Sequence, residues 1–369
     1  MTETRWRNFD PLLLVAALAL TGYGALLIYS ATLPRGVEGV VISEPVARHV
    51  GAAVAGAILM FITARLNYRN LEMLGWFAYG AGIIILLAVL VVGTSQLGSR
   101  RWFDLGFTLV QASEVAKLLT IIGLAKYLAD RRDRMDEWRV FFGSFGVAVV
   151  PAFLVFVEPD AGSAVVFLVL WAIMAAFSGI PMRKFLIFGA VVTVLLPLGL
   201  IVGVQDYQRD RITAFIDPTE DSQGSGFNVI QAETSVGAGG LVGKGLTQGT
   251  QTQLDFLRTQ TTDFIFSVLG EELGFAGAMA LFALFLLLLA RGLRAVTRAT
   301  DSLGQLVIVG IVSLIAVQAF INVGVNIRLV PVTGIPLPFI SVGNSSLLVL
   351  FVALGLIQSV LLHRDETRR

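Results

Sequence analysis

The chain reads as an all-α polytopic membrane protein. It is expected to have ten transmembrane helices, both termini cytoplasmic, and a large extracytoplasmic loop between helices 7 and 8. Three observations predict this. The 369 residues are 56% hydrophobic and only 14% charged, with a mean hydropathy of +0.80, far outside the soluble range. The apolar residues gather into ten stretches, each near the ~20 residues that cross a bilayer. Lys and Arg concentrate on alternate connections.

The stretches are 11–31, 47–65, 71–93, 113–129, 139–157, 161–179, 184–204, 263–290, 303–326 and 345–362. Asp10-Pro11 opens the first, and Tyr23, Tyr29 and Ser30 end it without a clean small-residue cleavage site. It therefore reads as a retained helix and not a signal peptide. Most of the 27 basic residues fall on one side, among them Arg5, Arg7, Arg65, Arg69, Arg131, Arg132, Arg183, Lys184, Arg291, Arg294 and Arg364. The other side is poorer, and Arg209, Arg211, Lys244 and Arg258 there share one long loop, which counts little. Both termini are thus assigned to the cytoplasm. The polar segments 94–112, 205–262 and 327–344 then face outward. The chain, 1–369, reads as a single membrane domain. Segment 205–262 cannot bury much of a core alone. It is expected to pack on the bundle, with short helices near 226–236 and 250–258.

Composition also excludes functions. There is no cysteine, so thiol chemistry is ruled out, and the two histidines, His49 and His363, lack companions for a zinc site. A formal charge of +1 offers nothing to a nucleic acid.

The polar residues are spent in five places. In 94–118, Arg101-Trp102 precedes Gln111-Ala112-Ser113-Glu114 and Lys117. Glu114 and Lys117 are three apart on one helix face and can pair, either as a packing ion pair or as the lining of a headgroup cavity. Arg101-Trp102 suits an interfacial anchor, and equally a lipid phosphate with a sugar stacked nearby. Asp160, in Glu158-Pro159-Asp160-Ala161-Gly162-Ser163, is placed to cap the sixth helix. Segment 237–249 has Lys244 among six glycines. Its amides can cradle a phosphate, or it is an ordinary tight loop; it lacks P-loop spacing. Asp263 stands at the mouth of the eighth stretch, with Ser267 and Glu271 about 40° and 80° away around a helix and so on one polar stripe. A helix dipole alone would favour Asp263 there. Finally, 327–346 holds Pro331, Pro336 and Pro338, which forbid a regular helix, so this apolar backbone must be buried or line a cavity.

Together these stretches resemble one family, the shape, elongation, division and sporulation (SEDS) membrane proteins, which include RodA, FtsW and a sporulation relative. The matching runs are Arg101-Trp102 with Gln111, Ser113, Glu114 and Lys117; Pro159-Asp160 with Gly162; Gly239-Gly240 with Gly243-Lys244-Gly245; Thr262-Asp263-Phe264-Ile265-Phe266 with Gly270-Glu271-Glu272-Leu273-Gly274; and Pro336-Leu337-Pro338-Phe339-Ile340-Ser341 with Ser345-Ser346. All five fall in family order. Ala112, Asn344 and Asp255 depart from the usual proline, glycine and glutamate, and Pro331-Val332-Thr333-Gly334 looks more like RodA than FtsW.

The resemblance implies a peptidoglycan glycosyltransferase of the bacterial cytoplasmic membrane, serving cell elongation and rod shape. It would polymerise lipid II, a disaccharide-peptide on undecaprenyl pyrophosphate, at the outer face. Its partners would be a class B penicillin-binding protein and other elongation-complex proteins, among membrane lipids. In that reading Asp263 is the general base, with Asp255 as runner-up. Arg101, Lys117, Lys244, and Arg211 or Arg258, meet the diphosphate, a task that a divalent cation (Mg or Mn, with Asp263 as a candidate ligand) can share. Glu114 orients Lys117, Glu271 supports the site beneath Asp263, and Trp102, Asp160, Ser341 and Ser345 complete the substrate contacts. A lipid II flippase and a non-catalytic scaffold of the cell-wall synthesis complex are the competing classes.

Overall fold

The computed structural model describes residues 6–33, 42–96, 99–104, 106, 109–203, 211, 213–218, 225–254, 256–257 and 259–364. The ten apolar stretches fold as helices α1 (Pro11–Thr32), α2 (Glu44–Arg65), α3 (Asn70–Val92), α4 (Ala112–Ala129), α5 (Trp138–Val157), α6 (Ala161–Phe177), α7 (Met182–Gly203), α9 (Ile265–Val296), α10 (Ser302–Asn326) and α11 (Asn344–Leu362), while α8 (Ser225–Ala238) lies within the long loop. Among the described residues, seven helices are long and apolar enough to cross a membrane: α1, α2, α3, α5, α9, α10 and α11. Of the other three, α6 is 17 residues long and α4 carries Glu114, Lys117 and Lys126.

Local chemistry sets the helix starts. Asp10 accepts from the N–H groups of Leu12 and Leu13, with Pro11 at the first helical position. Asp301 accepts from Gly304 N at 2.7 Å. Asp160 accepts from Ser163 N at 3.1 Å, so it caps α6 as the sequence predicts.

The centre of the molecule is α10 and α11, whose side chains are mostly buried, whereas α2 and α3 turn many apolar side chains outward. Small residues let the helices approach closely. A side chain at Gly355 would meet the Met60 backbone, and one at Gly56 the Phe351 ring. Against α1, a Cβ on Gly24 would stand 2.6 Å from the Ile340 carbonyl. That contact seats the Pro-rich segment 331–343 in the bundle.

Three features correct the sequence expectation. The fold is not purely α-helical. The described residues within 94–111 form a three-stranded antiparallel sheet, β1 (Thr94–Gln96), β2 (Ser99–Asp104) and β3 (Leu109–Gln111), with Trp102 opposite Gln111. Strands this short carry little periodicity, and sequence-local signals there are weak. The expected helix over 250–258 is one turn, Thr250–Gln253. Lastly, α9 starts at Ile265 and not at Asp263, and it is broken at Gly274, where φ is 61° and ψ −158°.

The glycine-rich segment repairs that break. Lys244 N and Gly245 N donate to the carbonyls of Glu271 and Glu272, at 3.0 and 2.9 Å, and Phe275 N and Ala276 N donate to Gly240 O and Leu241 O, both at 2.9 Å. The helix's freed backbone groups are thus satisfied from outside the helix, as a low-dielectric surrounding requires. Gly243 is needed because a Cβ there would stand 2.1 Å from the Glu272 carbonyl. These amides are spent on the helix break, so they are not a phosphate cradle.

Candidate active site

Asp263 sits in a turn just outside α9. Thr259, at φ 55°, offers one carbonyl to Thr262 N, Asp263 N, Phe264 N and Thr262 Oγ at 3.0, 3.2, 3.4 and 3.2 Å. The helix N-cap is Phe264, without a side-chain capping bond. The Asp263 carboxyl is therefore not consumed in capping α9. It is half-buried and faces the Pro-rich segment, where a Cβ at Gly334 would lie 3.9 Å from Oδ2.

Two arginines stand near enough to act electrostatically on this carboxyl. Burial pushes the Asp263 carboxyl above its ordinary value of 3.8; the Arg211 charge is the largest opposing influence, followed by the Thr262 side chain, while Asp160 adds to the rise and Arg101 opposes it. Arg211 is held by the carbonyls of Val332 and Thr333, at 3.2 and 3.4 Å. Arg101 donates to the carbonyls of Glu158 (3.0 Å) and Pro159 and lies 3.9 Å from Asp160 Oδ1. Gln111 Nε2 is 3.4 Å from Asp160 Oδ2, and a Cβ at Gly162 would meet the Thr333 carbonyl at 2.6 Å. The Pro-rich segment thus has Asp263 against Gly334 and the start of α6 against Thr333. Two cations and two carboxylates share one polar patch.

Glu158 is the residue that motif reading passed over. It is 1% exposed, and neither carboxyl oxygen has a hydrogen-bond partner. Burial, reinforced by Asp160 and opposed by Arg101, pushes it up to about 8. It stands beside the site as a neutral acid at pH 7. An acid immediately before Pro159-Asp160 was the available signal.

The other predicted residues divide into two groups. Lys117 Nζ lies 2.6 Å from Glu114 Oε1, with both side chains buried, so the expected pair forms. Glu114 Oε2 also accepts from Ser346 Oγ at 3.2 Å and Gln318 Nε2 at 3.5 Å, joining α4, α10 and α11. Ser345 Oγ accepts from Gln111 N at 3.2 Å. Ser341 Oγ donates to Thr262 O at 2.6 Å and accepts from Leu337 N at 2.9 Å. Both serines brace the surrounding backbone. Trp102 is half-buried on β2.

The stripe of Asp263, Ser267 and Glu271 does not exist as one site. Ser267 turns to Asn326, at 2.6 Å. Glu271 accepts from Lys244 Nζ (2.7 Å), Thr250 Oγ (3.1 Å), Gln251 N (3.0 Å), Thr252 N (3.2 Å) and Thr252 Oγ (3.1 Å). Lys244 is thereby committed to the loop. Asp255 and Arg258 lie outside the described residues. Among the described residues no group of three or more His, Asp or Glu is spaced to hold a metal ion. Near Asp263 stand the charges of Arg211, Arg101 and Asp160.

The sequence profile of the FtsW, RodA and SpoVE cell cycle proteins matches residues 11–366. The peptidoglycan glycosyltransferase MrdB of Escherichia coli K12 is 35% identical over 363 residues, covering 97% of this chain and 94% of that protein. Stage V sporulation protein E of Bacillus subtilis is 35% identical over 367 residues, covering 97% and 98%. A chain from a structure described as the coordination of polymerization and crosslinking by a peptidoglycan synthase complex superposes with a TM-score of 0.83 at 31% identity, covering 99% of this chain and all of that one. The rod shape determining protein RodA of Thermus thermophilus superposes with a TM-score of 0.69 at 28% identity, covering 98% of each chain.

Proposed function

This chain belongs to the FtsW, RodA and SpoVE family of cell cycle proteins, and from that premise we propose that it is a peptidoglycan glycosyltransferase of the elongation type. It is a multi-pass membrane enzyme, and its substrate in this reading is lipid II. The observation that carries the chemistry is the half-buried Asp263 carboxyl, outside its helix and flanked by Arg211 and Arg101. Asp263 accepts the proton of the acceptor sugar hydroxyl as that oxygen attacks the anomeric carbon of the donor. The bond to the lipid pyrophosphate breaks with its electron pair on the diphosphate. Arg211 and Arg101 offset the charge that grows there. A raised carboxyl suits a base, because a stronger base takes the hydroxyl proton more readily.

The ten helices each cross the membrane in this proposal, with both termini cytoplasmic and Asp263 at the outer face, as the distribution of Lys and Arg supports. The inner bacterial membrane is its location. The neighbour drawn from a complex of polymerization and crosslinking supports a crosslinking partner of the class B penicillin-binding type. Residues 205–262 are proposed to act as a loop packed on the bundle within one domain. A flippase reading calls for paired broken helices that move. Among the described helices the break lies in α9, and it is splinted by the 239–245 loop.

The test is polymerisation of purified lipid II by the reconstituted protein with its crosslinking partner. The Asp263→Ala variant is expected to fold and to make no glycan chains. Chains formed at the wild-type rate would remove Asp263 from the chemistry and favour a scaffold.

A further inference from the structure

The turn carrying Asp263 is joined to α9 through an amide that is not in its backbone. In an unbroken helix the N–H of Ser267 would bond the carbonyl of Asp263, four residues earlier. Here Ser267 N donates instead to Phe264 O, three residues back, at 3.0 Å, and Asn326 bridges Ser267 to the Asp263 carbonyl. Its Oδ1 accepts from Ser267 N at 2.9 Å and from Ser267 Oγ at 2.6 Å. Its Nδ2 donates to Asp263 O at 2.9 Å and to Asn322 O at 2.8 Å. The two Ser267 donors dictate which end of the amide is oxygen, so its orientation follows from the network. One turn earlier on α10, Asn322 Nδ2 donates to the same Asp263 carbonyl at 3.1 Å and to Ile335 O at 2.9 Å. Both amide groups thus use both of their N–H bonds. Asn322 and Asn326 are 1% and 0% exposed.

Two carboxamides this deep are costly unless fully paired. Here they are paired, and three elements meet on them: the Asp263 turn, α10 and the Pro-rich segment at Ile335. Asn326 also sets where α9 begins. With its amide absent, Ser267 N can move from the Phe264 carbonyl to that of Asp263. The helix would then extend back through Asp263 and rotate the carboxyl away from Arg211.

We infer that Asn322 and Asn326 are positioning residues for glycosyl transfer, whose amides hold the Asp263 peptide unwound from α9 and so fix where its carboxyl stands. The inference rests on the reading of Asp263 as the base. Neither asparagine touches substrate; both act through the Asp263 backbone.

The experiment compares Asn326→Ala, Asn326→Asp, Asn322→Ala and Asp263→Ala in the reconstituted full-length protein with its partner, using purified lipid II. Turnover, KM, the pH profile and the thermal midpoint are measured for each. Misplacing a catalytic group by about 1 Å costs on the order of 100-fold. Each asparagine variant is therefore expected to lose about 10- to 100-fold in kcat with KM unchanged, a loss larger than any fall in the folded fraction. Asn326→Asp is nearly isosteric and keeps the acceptor for Ser267 while losing the amide donor. It is expected to fall as far as Asn326→Ala, and it carries the test if the alanine variant does not fold. Wild-type turnover in Asn326→Asp and Asn322→Ala would overturn the inference, as would a loss that merely tracks the folded fraction. If Asp263→Ala itself polymerises normally, the reading of Asp263 as base fails. If Asp263→Ala is inactive while the asparagine variants are not, only the positioning role fails.

Discussion

Lys244 Nζ stands 2.7 Å from Glu271 Oε1, and the two belong to different segments: a loop outside α9 and the first half of α9 itself. The Glu271 side chain is fully buried while that of Lys244 is 30% exposed. The pair fastens the splint across the broken helix. Removing the buried acid strands several donors at once, so Glu271→Ala is expected to cost about 3–5 kcal/mol. Lys244→Ala leaves Glu271 with four neutral hydrogen bonds and is expected to cost about 1–3 kcal/mol. Denaturation of the detergent-solubilised variants measures both. A Lys244→Ala protein of unchanged stability but weakened lipid II binding would return Lys244 to the diphosphate.

Asp263→Asn tests base and burden together. Activity should be lost, because an amide takes no proton. Stability should rise. The folded-state value of Asp263 lies above its ordinary 3.8, so the folded protein holds that proton longer than the unfolded chain does. Its contribution is fully present below the unfolded value and is lost as pH rises through the folded one. Asp263→Asn should therefore show a higher thermal midpoint than wild type at neutral pH, a gain that shrinks as pH falls. Wild-type turnover should rise with pH through a value above the usual carboxylate range. A flat profile across that range would argue against Asp263 as the base.

Glu158 makes a separate prediction about pH and stability. Its carboxyl moves from 4.5 to about 8 on folding. By the same sign, wild-type stability should fall as pH rises from about 4.5 to about 8, then level off. Glu158→Gln should flatten that slope and melt higher than wild type at pH 9. Parallel melting curves from pH 5 to pH 9 would show that Glu158 is not held neutral.

Gly274→Ala should be severe. Gly274 holds φ 61° and ψ −158° inside α9, a region that side chains essentially do not adopt. A Cβ there would also stand 2.3 Å from Gly243 N. The backbone strain alone is about 1–3 kcal/mol, and the clash adds to it. Gly237→Ala is the control, because nothing lies within 4 Å of its Cβ. Equal thermal midpoints for the two variants would refute the splint.

Composition and hydropathy alone announce a membrane bundle. The observed α5, over Trp138–Val157, begins one residue before its apolar stretch, and α10, over Ser302–Asn326, departs from its stretch at one end by one residue. Burying apolar surface is a local, additive property, so it can be read from a linear string. Capping by Asp160 and pairing of Glu114 with Lys117 are also local, needing three residues of helix each. The sequence likewise singled out Asp263 and Arg101. It could not say that Arg211 comes to Asp263, or that the glycines of 239–245 serve α9 and not a phosphate, since those contacts join segments far apart in the chain. Nothing in the sequence marks Asn322 and Asn326, two polar residues near the end of an apolar stretch. Their meaning came only from tertiary structure, because an amide's role depends on which backbone groups are left unpaired within its reach, and the chain's distant folding decides that.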